Sequence, residues 1–171
     1  MKSSWSPDLY TNKHSFVQEY GTSLIELLDP KPDESILDVG CGTGELTAKL
    51  AELSDDVIGI DASPSMIDHA QEAFPEIDFR VEDASDFDLD QNFDGLFSNA
   101  ALHWVLQSEK AIECMYRHLK YGGRLVLEMG GKGNISKIEE TLRGVLNANG
   151  YKDNAEKEVW YFPSVGEYTT A

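Results

Sequence analysis

A chain of 171 residues, 41% of them hydrophobic, is long enough for one ordinary domain with a true core. Thirty-one acidic residues against 14 basic ones give a formal charge of −17, a surface that repels phosphate backbones and anionic lipid headgroups and argues against nucleic-acid and membrane partners. No apolar run approaches the roughly 18 residues of a membrane span, and the opening MKSSWSPDLY lacks a signal-peptide core.

The predicted elements follow in chain order. Residues 12 to 29 place Phe16, Val17, Tyr20, Leu24, Ile25 and Leu28 at mostly helical spacing, and Asp29-Pro30-Lys31-Pro32 breaks the run. Ser35 to Val39 reads as a strand, Glu45 to Leu53 as a helix and Val57 to Ile60 as a second strand. Ser63 is placed to cap a helix that starts at Pro64 and carries Met66, Ile67, Ala70 and Ala73. Strands are expected over Ile77–Val81 and Phe93–Asn99, and a helix over Glu109–Leu119. Tyr121-Gly122-Gly123 reads as a turn, Arg124–Met129 as a strand and Ile135–Asn147 as a helix. His69 and His118 look like exposed helix positions. Strand and helix alternate, so the fold class is α/β: a doubly wound, mostly parallel sheet with crossover helices on both faces. Ligands in such sheets sit beyond the carboxyl ends of the strands.

The stretch ILDVGCGTGELTAKL, Ile36 to Leu50, joins the first strand to a helix through Gly40, Gly42 and Gly44. Three glycines in five residues cost backbone entropy and suit a loop that must approach a ligand closely, at a helix N-terminus. The dinucleotide fingerprint wants glycines at positions one, three and six; counted from Gly40 or from Gly42, position six is Glu45 or Thr47. A P-loop wants Lys and Ser or Thr after its last glycine, and Glu45 and Leu46 stand there instead. A nucleoside ligand without phosphates suits this loop. The two cysteines, Cys41 in the loop and Cys114 in a helix, form no metal-ligand cluster and read as reduced thiols of a cytoplasmic protein.

DVGCGTG, Asp38 to Gly44, closely resembles the first motif of class I S-adenosylmethionine (SAM) methyltransferases, which implies their Rossmann-like fold, SAM as cofactor and methyl transfer as activity. Further motifs are similar to the small-molecule subgroup containing trans-aconitate and malonyl-carrier-protein methyltransferases. These are SNAALHWV at Ser98–Val105, LKYGGRLVLEM at Leu119–Met129, and the N-terminal WSPDLYTNKHSFVQEYG. The resemblance implies that Asp61, ahead of Ala62 in VIGIDASPSMI, accepts from both ribose hydroxyls, and that Asp83 in RVEDASDF accepts from the adenine amino group. Ala84 would offer a backbone N–H to the ring, Met66 would lie on the adenine face, and Asp38 would face the ligand's ammonium. Asn99 and His103 are the catalytic candidates, Asn99 near the methyl group and His103 as a general base. Tyr10, His14, Tyr20 and Trp104 are candidates for a lid and acceptor wall.

The reading divides the chain into an N-terminal helical cap at 1–30 and a SAM-binding domain at 31–171. The family sheet usually ends in a sixth and seventh strand forming a hairpin; here five strands are legible and the sequence stops at WYFPSVGEYTTA, which reads as a shortened chain. That implies an exposed fifth-strand edge or C-terminal tail through which two copies could pair. Three functions compete: a SAM-dependent methyltransferase of a small molecule such as a carboxylate, a SAM-binding assembly protein without catalysis, and an NAD-dependent reductase that the failed third glycine disfavours.

Overall fold

The computed structural model describes residues 15–170, with side chains from residue 21 onward. Helix α1 (Ser15–Leu28) leads into β1 (Ser35–Val39), α2 (Glu45–Ala51), β2 (Asp56–Asp61), α3 (Pro64–Ala73) and β3 (Asp78–Val81). Then come β4 (Phe93–Asn99), a 3-10 turn at Leu102–Trp104, α4 (Ser108–His118) and β5 (Leu119–Glu128). Helices α5 (Ser136–Ala148), α6 (Lys152–Ala155) and α7 (Val165–Thr169) complete the described chain. The five strands form one sheet, parallel as the alternating pattern predicts, in the order β3-β2-β1-β4-β5. The order runs outward from β1 to β3 and restarts on the other side with β4. A crevice therefore opens beyond the carboxyl ends of β1 and β4.

The core follows from strand alternation. On one face Ile36 and Phe97 pack with Ile25, Leu28 and Leu50 under α1 and α2. On the other, Leu37, Val39 and Leu96 pack with Phe87, Phe93 and Met115. Every residue of β1 is buried, as a central strand covered on both faces must be. Helix α2 has only seven residues, too few to hold a helix alone; the burial of Thr47 and Leu50 against the sheet holds it.

Four local readings change. The Tyr121-Gly122-Gly123 turn lies inside β5, not before it. Leu119 pairs with Phe93 and Arg124 with Gly95, so residues 120–123 stand opposite Asp94 alone as a bulge. Asp94 pins that bulge: its carboxylate accepts from the Ser35 main-chain N–H at 2.9 Å and from the Lys120 ammonium at 2.7 Å. His118 is buried, not exposed. Its Nε2 accepts from the Leu89 N–H (2.9 Å), which leaves the proton on Nδ1 to donate to the Cys114 carbonyl (2.8 Å). His69 is half-buried. Ser63 takes the N-cap position as expected, but its hydroxyl pairs with that of Ser65 instead of capping the helix. Among the described residues no strand follows β5, which is thus an edge strand.

Candidate active site

The glycine loop is shaped by its ties to β2. The N–H groups of Gly40 and Cys41 both donate to the Ile60 carbonyl, at 2.8 and 2.9 Å. Gly40 takes a left-handed φ of 81°, and a Cβ there would overlap the Cβ of Ala101. Only glycine lets β1 turn under the loop that follows β4. Asp61, the last residue of β2, faces this loop: its Oδ2 accepts from the Gly42 N–H (3.1 Å) and its Oδ1 from the Ser63 N–H (2.8 Å). These ties leave Asp61 able to meet a ligand, because each carboxylate oxygen keeps a lone pair for a further donor. Burial raises the Asp61 pKa, and the two main-chain donors oppose that rise.

A cavity of about 390 Å³ occupies the crevice, within the range of about 300–1,000 Å³ usual for small-ligand sites. Of the residues singled out from sequence, Gly40, Gly42, Asp61, Ala62 and Met66 line one part of it. Asp83, Ala84, Asn99 and Trp104 line the rest. Asp83 also shapes its own turn, accepting at Oδ1 from the Ser85 N–H (2.8 Å) and hydroxyl (2.7 Å). Helix α1 comes near the end of β4: a Cβ on Gly21 would lie 3.1 Å from the Asn99 amide nitrogen.

Other candidates stand back from the cavity. Asp38 lies beneath it, buried, accepting from the Thr47 hydroxyl at 2.7 Å. Burial pushes its pKa up to about 7, with the nearby Asp61 charge adding to the rise and the Thr47 hydrogen bond opposing it. Cys41 packs with Ile67 and Phe79, and burial pushes its thiol well above the ordinary range. Gly44 is the N-cap of α2 and abuts Phe79. His103 turns toward the C-terminal segment, where its ring stacks on Phe162 at 5.6 Å between centroids; burial lowers its pKa. Tyr10 and His14 lie outside the described residues, as does the side chain of Tyr20.

Sequence reasoning missed Glu82, Ser85, Ala100, Val105, Leu106 and Gln107, which also line the cavity. One signal was available. The small-residue run Asn99-Ala100-Ala101 permits a tight turn, and Ala100 sits at a left-handed φ of 54° with its N–H donating to the Glu128 carbonyl. Such strain in a non-glycine residue concentrates at functional sites.

The residues fit SAM. Its adenosine carries no phosphate, and it bears a sulfonium and an ammonium. Correspondingly, the charged lining among the described residues is entirely acidic: Asp61, Glu82 and Asp83. A pyrophosphate would meet repulsion there, with no cation among the described lining residues to offset it.

Comparison with known proteins agrees. Residues 36–123 match the family model described as a methyltransferase domain. The uncharacterized methyltransferase C70.08c of Schizosaccharomyces pombe is 34% identical over 96% of this chain and 67% of its own. A trans-aconitate 2-methyltransferase of Deinococcus radiodurans is 33% identical over 74% of this chain and 49% of its own. Among solved structures, SAM-bound CalS10, an amino pentose methyltransferase from Micromonospora echinaspora, aligns with a TM-score of 0.58 at 25% identity, over 75% of this chain and 58% of that one. The chain belongs to the SAM-dependent methyltransferases. It spans about half the length of several curated relatives that it matches.

Proposed function

We propose that the protein methylates a small molecule bound at the Asn99–Gln107 side of the crevice, with SAM seated across the glycine loop. One observation carries this reading: Asp61, held by two main-chain donors at the end of β2, faces the same cavity as the glycine loop and Asn99. In the proposed arrangement Asp61 accepts from the ribose hydroxyls, Asp83 from the adenine amino group, and Met66 covers the ring. SAM supplies a methyl group activated by positively charged sulfur. The chain's own work is orientation and exclusion of water, which need no acid or base when the acceptor is already nucleophilic. Asn99 and Trp104 border the acceptor, and His103 positions Trp104 from behind, through the contact of their rings at 5.4 Å. The proposal takes residues 1–30 as an N-terminal cap, and its support is that Gly21 of helix α1 lies beside Asn99.

Calorimetric titration with SAM and with S-adenosylhomocysteine tests the reading. Micromolar binding by the wild type and a loss of at least about 100-fold in Asp61→Ala are expected, since two charge-assisted hydrogen bonds are removed. No binding at millimolar ligand defeats it.

The relatives' names divide on the acceptor: a carboxylate for trans-aconitate 2-methyltransferase, an amino pentose for CalS10. A small-molecule acceptor is common to both names, and a cytoplasmic location is part of the proposal. Self-association also belongs to the proposal. β5 ends the sheet, with Tyr121 fully exposed and Leu125 40% exposed, a geometry open to strand pairing between copies. Light scattering at high concentration should give a dimer mass; a monomer mass removes this part.

A further inference from the structure

We propose that the methyl acceptor is an amine carried on a flat or apolar body, seated against the indole of Trp104, and not a polycarboxylate. This rests on the methyl-transfer reading above. The crevice divides into an acidic part at the ends of β2 and β3, with Asp61, Glu82 and Asp83, and a part formed by Trp104, Val105, Leu106 and Gln107. The second part holds an aromatic ring, two aliphatic side chains and an amide. Among the described residues no Lys or Arg lines either part. A ligand with several carboxylates would lose its hydration there and gain no cationic partner from the described residues, a cost of charge burial that only pairing offsets. The formal charge of −17 adds a long-range field that repels polyanions and draws cations in.

Trp104 supplies the positive side of the selection. It is 42% exposed and lines the cavity, so its ring is within reach of a bound molecule. The C-terminal segment backs it: Trp160 lies 5.7 Å away between ring centroids, and Phe162 continues the row toward His103. The Tyr161 N–H donates to the His103 carbonyl at 2.9 Å, which ties that segment to the Leu102–Trp104 turn. An indole held in this way favours a cation or a flat ring over its face, and among aromatic side chains it does so most strongly. The chemistry closes. The amine arrives as ammonium and loses its proton to bulk solvent before water is excluded from the site. Its freed lone pair then forms the new N–C bond as the S–C bond breaks, with that bond's electron pair staying on sulfur.

The test is binding to the full chain saturated with S-adenosylhomocysteine, with tryptamine and trans-aconitate as probes. Tryptamine should bind at micromolar to low millimolar concentration, and trans-aconitate should not bind. Trp104→Ala should weaken tryptamine about 10-fold and Trp104→Phe should recover most of that loss, with circular dichroism confirming that both variants fold. Tighter binding of trans-aconitate, no binding of tryptamine, or equal affinity in all three proteins would overturn the inference. Failure of S-adenosylhomocysteine itself to bind would be a separate result, removing the methyltransferase reading and this inference with it.

Discussion

Replacing Asp38 by Asn should change how stability depends on pH. Asp38 is the fourth residue of β1, paired through its backbone with Gly59 and Phe97, and among the described side chains its carboxylate is hydrogen-bonded to the Thr47 hydroxyl alone. Burial raises its pKa from 3.8 to about 7, so the folded protein prefers the neutral form. The sign follows from proton counts. Below about pH 4 folded and unfolded chains both hold the proton and nothing is lost. Between about pH 4 and 7 the unfolded chain has ionised while the fold keeps its proton, so stability falls as pH rises; above about pH 7 the loss is complete. At about 1.4 kcal/mol per pH unit, roughly three units amount to about 4 kcal/mol, of which about 2 kcal/mol falls between pH 5.5 and 8.5. Asparagine keeps an oxygen for Thr47 and has no charge to bury. Urea titrations of both proteins at pH 5.5, 7 and 8.5 read the effect. With a urea dependence of about 2 kcal/mol per molar, the wild-type midpoint should drop by about 1 M relative to the variant across that range. Midpoints that keep a constant separation, or a wild type that gains on the variant as pH rises, would refute the reasoning.

Gly40→Ala places a Cβ on that of Ala101 and holds an alanine at φ 81°. A destabilisation of about 2 kcal/mol, together with at least about 10-fold weaker SAM binding, is expected from the strain and the displaced loop. Unchanged affinity in calorimetry would show that the loop yields without moving the cavity. His118→Ala removes the acceptor for the Leu89 N–H and the ring that packs 4.6 Å from Phe87. An unpaired buried N–H plus a new cavity should cost about 3 kcal/mol in chemical denaturation, with His118→Gln recovering part of it. A loss under about 1 kcal/mol would mean that water replaces the ring at no cost.

Short-range pattern determined the parallel sheet, and the family resemblance picked out residues that line one end of the crevice. Buried parallel strands read as apolar runs, three glycines behind an acid mark a loop that must come close to a ligand, and Asp61 and Asp83 end or follow strands whose direction the alternation imposes. Those residues are near one another because parallel strands deliver every carboxyl end to one edge of the sheet. Tertiary contacts decided the rest. His118 reads as an exposed helix residue until the loop at Leu89 folds over it and supplies its donor. Asp38 and Asp61 lie on neighbouring central strands, yet the first is roofed over and the second opens to the cavity. His103 and Trp104 are adjacent in sequence, but the turn at Leu102–Trp104 sends one toward Phe162 and the other to the crevice. Periodicity says which face of an element is apolar; which atoms meet that face depends on residues dozens of positions away.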